Sequence, residues 1–280
     1  TLWSGRYVAS VRAAFSRTSH DHTFGEIAED DSHGTAFGEF AVRGSAGAHT
    51  WVAGAAIEHD RYESKTLSRF DHSFTIPGVF VQDDVVVADW LSLSGSARFD
   101  HHSEYGSFFS PRLAAFFHSG SWTSRISAGT GFFGPSALTE ETEAAGLSRL
   151  VIPQSLVAER GSSLSMDISR TQGALSYTAT LFASRVDDPI HVDRSAGLVL
   201  TNLDEATTNM GVELLGTVRH EPFALTANYT FVRSRESDDD VRAESPLTPR
   251  HSAGLVGMWE REEGGRERQE SCDHRCVVLV

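Results

Sequence analysis

The sequence is poor in cysteine, in basic charge and in long apolar runs. Only two of its 280 residues are cysteine, and both lie among the last nine, so disulfides cannot staple the chain together. The net charge of −14 argues against nucleic acid, whose phosphates require clustered Lys and Arg. The most apolar run, 79–93, is interrupted by Asp83 and Asp89, whereas a membrane helix needs about 20 apolar residues. The sequence therefore predicts no disulfide scaffold, no nucleic-acid partner and no helical membrane span.

Sequence signatures of catalysis are also missing. The chain has no G-x-S-x-G elbow, no P-loop, no H-E-x-x-H and no G-x-G-x-x-G fingerprint. We therefore expect no enzyme, no catalytic residue and no cofactor.

Alternation of apolar and polar side chains is the dominant pattern, and it predicts β-strands. In residues 90–100, WLSLSGSARFD, Leu91 and Phe99 share one face while Ser92 and Arg98 share the other. Helical periodicity is nowhere convincing. We predict about twelve strands, at 6–16, 35–44, 49–60, 74–87, 90–100, 108–118, 121–131, 158–169, 174–186, 207–219, 222–234 and 249–259.

The connections between these segments alternate in length. The short ones are 44–48, 88–89, 119–120, 170–173 and 220–221, and the long ones are 17–34, 61–73, 101–107, 132–157, 187–206 and 235–248. Transmembrane β-barrels have short periplasmic turns, long external loops and strands of about ten residues. The fold class predicted is thus all-β, an antiparallel up-and-down transmembrane β-barrel. The alternative is a soluble β-sandwich, whose strands usually have about five or six residues.

The stretch RISAGTGFFGPS, 125–136, illustrates how such a strand ends. Ile126 is predicted to face lipid and Arg125 to face the lumen. Phe132 and Phe133 arrive where the strand leaves hydrocarbon, at the level of an aromatic girdle. Pro135 has no N–H for the ladder, so pairing should stop there and an external loop should begin.

Several short motifs follow one another over residues 74–259, among them Gln-Asp, Ser-Pro-Arg-Leu, Gly-Phe-x-x-Pro-Ser, Ala-Glu-Arg, Gly-Val-Glu-Leu and Pro-Arg-His. Their order and spacing resemble the barrel of TonB-dependent outer-membrane receptors. The residues that carry the resemblance are Gln82, Pro111, Arg112, Gly131, Phe132, Pro135, Glu159, Gly211, Glu213, Tyr229 and Pro249.

The resemblance implies a place and a partner for the chain. Receptors of this family lie in the outer membrane of Gram-negative-type bacteria, in contact with lipid and lipopolysaccharide. They import scarce nutrients such as iron–siderophore complexes, cobalamin or glycans. The inner-membrane TonB complex supplies the energy and acts on an N-terminal plug. No covalent chemistry is implied.

The sequence departs from the family pattern in three respects. No plug segment is visible, and about twelve strands are predicted where plugged transporters close with about 22. The tail 260–280 shows no alternation and no final aromatic strand. We therefore expect a partial barrel over residues 1–259, followed by a charged tail that is disordered or frame-disrupted. A mature piece or fragment is also suggested by Thr1-Leu2-Trp3, which enters a strand-like pattern at once.

Candidate binding residues are sought in the predicted outer loops, where histidine is frequent. Neutral imidazoles suit zinc or copper, but no cysteine or fixed ligand geometry accompanies these histidines, and solvated loop side chains are the simpler interpretation. We take them as candidate ligand-binding residues and assign no metal site: His20, His22, His33, His72, His101 and His102.

Three further groups of polar residues have a simple alternative. The acidic run 237–240 could hold calcium but lacks EF-hand spacing, so a solvated loop tip is favoured. Cys272 and Cys276 with His274 make only half a zinc site. Charged residues on the polar strand faces could contact a plug or simply be solvated in the lumen; they are Arg12, Arg98, Arg125, Asp167, Glu213 and Arg219. A passive porin remains a second functional hypothesis.

Overall fold

A computed structural model of the chain describes residues 2–4, 7–194, 197–238, 241–244, 248–259 and 275–279. Strand is the dominant structure. The first eight strands are β1 Leu2–Ser4, β2 Tyr7–Phe24, β3 Ile27–Ala46, β4 His49–Ser64, β5 His72–Ala88, β6 Leu91–His102, β7 Gly106–Ser119 and β8 Trp122–Phe133. A helix, α1 Glu140–Ala145, and 3-10 turns at Ser68–Phe70 and Leu147–Arg149 lie in the connections.

The remaining strands complete the chain. They are β9 Leu150–Val151, β10 Glu159–Gln172, β11 Leu175–Asp187, β12 Ile190–Asp193, β13 Leu198–Asn202, β14 Thr207–His220, β15 Phe223–Asp238, β16 Val241–Glu244, β17 His251–Trp259 and β18 Arg275–Leu279. No helix in the described part of the chain has the length and hydropathy to cross a bilayer.

Fifteen of the described strands form one antiparallel sheet in which sequence neighbours are also spatial neighbours. Its order is β1-β2-β3-β4-β5-β6-β7-β8-β10-β11-β14-β15-β17-β18, with β16 attached to β15. This is an up-and-down meander, and all twelve predicted strands are present in it. Among the described residues, β1 and β18 stand at the two ends of the order.

The two ends of the meander differ in their connections. Two-residue turns join the strands at 47–48, 89–90, 120–121, 173–174 and 221–222, and we call this the short-turn end. Aromatic side chains gather there: Trp90 stacks on Phe117 at 6.2 Å, and Trp122 meets Tyr177 edge-on at 5.9 Å. The Arg170 guanidinium lies 5.0 Å from the Trp122 ring. Such a band is typical of a membrane–water interface.

The opposite end is more ordered than the sequence predicted. The expected loop 17–34 is instead the outer half of the β2–β3 hairpin, which turns at Gly25 and keeps its register from Phe24–Ile27 to Tyr7–Gly44. Backbone pairing does not need an apolar face, so polar strands can continue beyond the membrane. The expected loops 132–157 and 187–206 contain α1 and a small sheet in the order β12-β13-β9, which the alternation did not reveal.

The tail also differs from its prediction in one place. Residues 275–279 pair with β17 as β18, from Leu255–Leu279 to Trp259–Arg275. The run Cys-Val-Val-Leu at 276–279 has high β propensity, and the edge of β17 offers unpaired N–H and C=O groups. Residues 260–274, which include Cys272 and His274, lie outside the described residues, as do Asp239 and Asp240 of the acidic run.

The two faces of the sheet have opposite chemistry. On one, large apolar side chains are open to the surroundings: Val11 is 72% exposed, Phe15 76% and Leu113 68%. We call this the lipid face. The other, the lumen face, carries the polar partners, for example Ser127, whose Oγ lies 2.8 Å from the Oγ of Ser165 across the β8–β10 pair.

The exposed area excludes the soluble sandwich. A soluble monomer of this mass, 30.5 kDa, is expected to expose about 11,800 Å², whereas this chain exposes 19005 Å². The described part of the chain has eleven buried apolar residues. They do not lie between two large sheets. Their main cluster lies beside the connections at the end of the sheet opposite the short-turn end. The apolar strand faces are therefore left for lipid, as the predicted barrel requires.

One glycine shows how closely the strands approach. Gly211 of β14 lies under the Phe182 ring, and a Cβ there would stand 2.3 Å from the Phe231 carbonyl oxygen and 2.5 Å from the ring. Only glycine fits this position. The resemblance singled out Gly211, and the structure supplies a packing reason for it.

Candidate functional site

A transmembrane strand needs about 9–11 residues. We counted eleven residues along each strand from the short-turn end to mark the membrane-spanning part. This part ends at Ala36 in β3, at His59 in β4, at Gly78 in β5 and at His101 in β6. Residues beyond that depth form what we call the loop-side region: 18–35, 60–77, 102–108, 133–161 and 186–209.

Three strands bring histidine and carboxylate together at this depth. In the sheet register, Tyr62 of β4 lies between His33 of β3 and His72 of β5. Asp60 shares a face with Tyr62 because side chains alternate along a strand. His33 Nε2 lies 2.8 Å from Asp60 Oδ2, and His72 Nε2 lies 2.9 Å from Asp60 Oδ1. We call His33, Asp60 and His72 the His–Asp cluster.

The electrostatics of the cluster are set by burial and by these hydrogen bonds. Burial raises the pKa of Asp60, but the hydrogen bonds from His72 and His33, with their charges, outweigh it and hold the pKa below its usual value. Burial, reinforced by the charge of Asp31, raises the pKa of Tyr62, so this phenol stays protonated. The cluster therefore holds its carboxylate in the charged form.

An aromatic row continues from the cluster across the sheet. The His72 ring stacks on Phe74 at 4.5 Å, Phe74 meets His102 at 4.8 Å, and His102 meets Tyr105 at 4.8 Å. His102 is 2% exposed, and its Nδ1 accepts the N–H groups of Glu104 and Tyr105 at 3.1 and 3.3 Å. Burial lowers the pKa of His102 and raises that of Tyr105. The row forms an aromatic wall in which burial favours the neutral forms of His102 and Tyr105.

Two cavities open on the lumen face beside this wall. The larger, of about 500 Å³, is lined by charged and aromatic residues that include Glu58, Asp60, Phe74, Arg98, Asp100, His102 and Phe132. The smaller, of about 310 Å³, is lined by His20, His22, Phe24, Glu29, Asp31, Tyr62 and Thr142. His33 lines both, so the His–Asp cluster stands at their common boundary.

The connection that carries α1 closes one side of both cavities. Leu138 and Glu143 line both of them. The connection is fixed to β3 by Glu29, whose carboxylate accepts the N–H of Leu147 at 2.9 Å and of Ser148 at 2.8 Å. Glu29 is 5% exposed, and a Cβ at Gly146 would stand 2.9 Å from its Oε1. A buried carboxylate thus locates this segment over the cavities.

A second charged pair forms the floor of the larger cavity. The Arg98 Nε donates to both carboxylate oxygens of Asp100 at 2.8 Å, and Asp100 is 2% exposed. A Cβ at Gly78 would lie 2.1 Å from Asp100 Oδ1, so only glycine leaves room for the carboxylate. Arg98, predicted to face the lumen, does so with a partner on its own strand.

The structure places the six candidate histidines in different surroundings. His33 and His72 join the His–Asp cluster, and His102 joins the aromatic row. His20 and His22 stack at 5.3 Å, and His20 Nδ1 lies 2.9 Å from Asp31 Oδ1. His101 points to the opposite face from its neighbour His102 and lies 3.0 Å from the Ser107 hydroxyl. The adjacent pair therefore cannot act as one chelate.

The residues of the family resemblance occupy strand ends and interiors, with contacts that shape the loop-side region. Phe132 stacks on Phe108 at 3.9 Å and β8 ends at Phe133, as predicted. The Tyr105 hydroxyl donates to the Pro135 carbonyl at 2.5 Å. Glu159 begins β10 and accepts the Ile190 N–H at 2.6 Å. The others lie in β5, β7, β8, β14 and β15, or just before β17: Gln82, Pro111, Arg112, Gly131, Gly211, Glu213, Tyr229 and Pro249.

Sequence reasoning missed the acidic and phenolic partners of the histidines. Glu29, Asp31, Asp60 and Tyr62 were assigned to loops or to a strand end without a role. A usable signal was the alternation in AEDDSH near the start of β3, where Glu29, Asp31 and His33 place a carboxylate or histidine at every second residue.

Comparison with known proteins agrees with this architecture. The family model described as "TonB dependent receptor-like, beta-barrel" matches residues 2–266. The iron-regulated outer membrane virulence protein of Vibrio cholerae is 24% identical over 239 residues, which cover 76% of this chain and 36% of that protein.

Solved structures show the same fold at lower identity. The siderophore receptor PirA of Pseudomonas aeruginosa superimposes with a TM-score of 0.65 at 15% identity, over 94% of this chain and 55% of PirA. The FrpB iron transporter of Neisseria meningitidis, as apoprotein, gives 0.72 at 11% identity, over 96% and 53%. This chain spans about a third of the curated relative and about half of these structures. The chain belongs to the TonB-dependent receptor family and forms part of its outer-membrane β-barrel.

Proposed function

We propose that this barrel serves the TonB-dependent uptake of a chelated metal, of the iron–siderophore class. The observation that carries the proposal is the pair of cavities on the lumen face, in the loop-side region and directly next to it. Their volumes, about 500 and 310 Å³, lie in the range of small-molecule sites, about 300–1,000 Å³. Receptors bind scarce ligands at this end, before the ligand passes through the barrel.

The lining supports a polar ligand with flat or aromatic parts. Phe74, Phe132 and Tyr62 offer ring surfaces, while Arg98, His20 and His22 offer hydrogen-bond donors. Two of the proteins that share the fold are named for siderophores or iron, which favours an iron chelate over cobalamin or a glycan. We propose His20 and His22 as the ligand-contacting pair of the smaller cavity.

The partners follow from the same proposal. The TonB complex would act through a plug domain inside the barrel, and the lumen-facing charges Arg12, Arg125, Asp167 and Glu213 are suitably placed on strand interiors to contact such a plug. Outer-membrane lipid and lipopolysaccharide would cover the lipid face. The protein would act as a receptor and transporter, with no chemical step of its own.

The experiment is an uptake assay in the natural host with its gene deleted and then restored. Cells are given ⁵⁵Fe-labelled siderophores, and energy-dependent accumulation is expected only with the restored gene and an active TonB system. Replacing both His20 and His22 by alanine should raise the half-saturating concentration about tenfold or more, since each lost hydrogen bond costs about 1 kcal/mol. The control His220→Ala lies at the short-turn end, where it contacts its neighbour's carbonyl.

Two outcomes would contradict the proposal. Accumulation that persists without TonB, and that rises linearly with solute concentration, would identify a passive porin. Accumulation that is saturable for cobalamin or a glycan, and absent for every iron chelate tested, would leave the transport class intact but overturn the ligand class.

A further inference from the structure

The His–Asp cluster has the composition and spacing of a metal centre. One ring nitrogen of His33, one ring nitrogen of His72 and an Asp60 oxygen all lie within 4.8 Å of one another. Two neutral imidazoles and one carboxylate suit Zn²⁺, Cu²⁺ and other divalent ions of the first transition row. The three side chains come from three adjacent strands, so the sheet holds their backbones in fixed register.

The hydrogen bonding of His72 points to a cation at this place. Its Nδ1 lies 3.3 Å from the Phe70 carbonyl oxygen, and its Nε2 lies 2.9 Å from Asp60 Oδ1. Both partners are acceptors, whereas a neutral imidazole can donate from one nitrogen only. A metal ion between Nε2 and the carboxylate would satisfy that contact while Nδ1–H donates to the Phe70 carbonyl. A metal-bound histidine commonly donates its other N–H to a carbonyl in this way.

We propose that His33, Asp60 and His72 bind one divalent transition-metal ion directly, through the two Nε2 atoms and one carboxylate oxygen. Zinc bonds of about 2.0–2.1 Å in tetrahedral geometry separate ligand atoms by about 3.4 Å. The two nitrogen–oxygen separations, now 2.8 and 2.9 Å to the two different oxygens of Asp60, are within about 0.6 Å of that value.

The surroundings leave the ion accessible and the ligands rigid. The ring of His72 lies between Tyr62, at 5.7 Å, and Phe74, at 4.5 Å, and its side chain is 11% exposed. The side chain of His33 is 33% exposed and lines both cavities. The remaining coordination positions face the cavities, where water or a chelator can occupy them.

This inference goes beyond the uptake proposal and is tested without transport. The full chain is folded in detergent micelles with Cys272 and Cys276 replaced by serine, stripped with a chelator, and titrated with Zn²⁺ by calorimetry and with Co²⁺ by visible absorption. One ion per chain is expected. The variants Asp60→Asn and His72→Phe keep the side-chain shape, and His72→Phe also keeps the ring stack. Each should weaken metal affinity by about 100-fold or more. Mutating even a residue that only hydrogen-bonds to a metal ligand lowers metal affinity by about 10–100-fold.

Controls separate this site from other histidines. His220→Ala should leave the stoichiometry and affinity unchanged, and the pair His20→Ala with His22→Ala tests whether the ion sits in the smaller cavity instead. Far-UV circular dichroism checks that each variant is folded. If His72→Phe does not fold, His33→Gln replaces it in the titration. Binding that survives Asp60→Asn and the histidine variants, or that disappears with His20 and His22, would overturn the assignment, as would the absence of stoichiometric binding. If the chain with an intact His–Asp cluster shows no stoichiometric metal binding while uptake is retained, this inference alone is overturned.

Discussion

Arginine in place of Leu113 is expected to destabilise the membrane-embedded protein by about 2–4 kcal/mol, the cost of an arginine on the lipid face near the midplane of a barrel. Leu113 is 68% exposed and lies in the middle of β7, opposite Gly95 on β6 and Ala128 on β8. In lipid, its exposed surface lies against acyl chains, so the guanidinium would lose its hydration.

The matched control is the neighbouring residue, Ala114. It pairs with Ser94 and Ser127, on the lumen face. Ala114→Arg should change stability by less than about 1 kcal/mol, because its guanidinium reaches the wet interior. Urea unfolding in phosphatidylcholine vesicles, followed by tryptophan emission, measures the free energy of unfolding of both variants. Equal losses for the two variants, or a larger loss for Ala114→Arg, would contradict the assignment of faces.

Glutamine in place of Glu29 is expected to free the α1 connection from β3. The carboxylate is buried and accepts two N–H groups, from Leu147 and Ser148. An amide keeps one acceptor and turns an NH₂ toward the second N–H. Hydrogen bonds to charged groups are worth about 1.5–3 kcal/mol, and a buried donor left unpaired costs about 1–3 kcal/mol. We expect a local loss of about 2–3 kcal/mol.

Hydrogen exchange measures this loss where it occurs. Amides of residues 137–150 should exchange about 30–150-fold faster in Glu29→Gln, since about 1.4 kcal/mol corresponds to tenfold, while amides of β10 and β11 keep their rates. Glu26→Gln, an exposed carboxylate in the same hairpin, is the control and should leave the segment unchanged. Uniformly faster exchange over the whole sheet would show that Glu29 supports the barrel itself and not this connection.

The twelve predicted strands and their faces followed from the sequence because lipid imposes a strict alternation. Leu164, Met166 and Ile168 stand on the lipid face of β10, and Ser165 and Asp167 stand on the other, as the pattern required. Beyond the membrane this constraint ends. Residues 18–24 are polar or mixed on both faces, so no alternation marked them as strand, although the β2–β3 ladder continues through them.

The site was less accessible to sequence reasoning because it depends on register between three strands. His33 and His72 were recognised as candidates, but their common partner Asp60 comes from a third strand, opposite Thr35 and Phe74. A slip of one residue in β4 would turn Asp60 to the lipid face. The buried role of Glu29 depends on a contact with residues more than a hundred positions away, which no local pattern encodes.

The central claim, that one face of these strands meets lipid and the other meets water, is tested most directly by spin labels placed one at a time along β10. Single cysteines at positions 163–168, in a background free of Cys272 and Cys276, are spin-labelled in vesicles. The relaxation of each label by oxygen and by a water-soluble nickel chelate is then measured. The account predicts oxygen-dominated relaxation at 164, 166 and 168 and nickel-dominated relaxation at 163, 165 and 167. Relaxation that is alike at all six positions, or that alternates in the opposite phase, would contradict it.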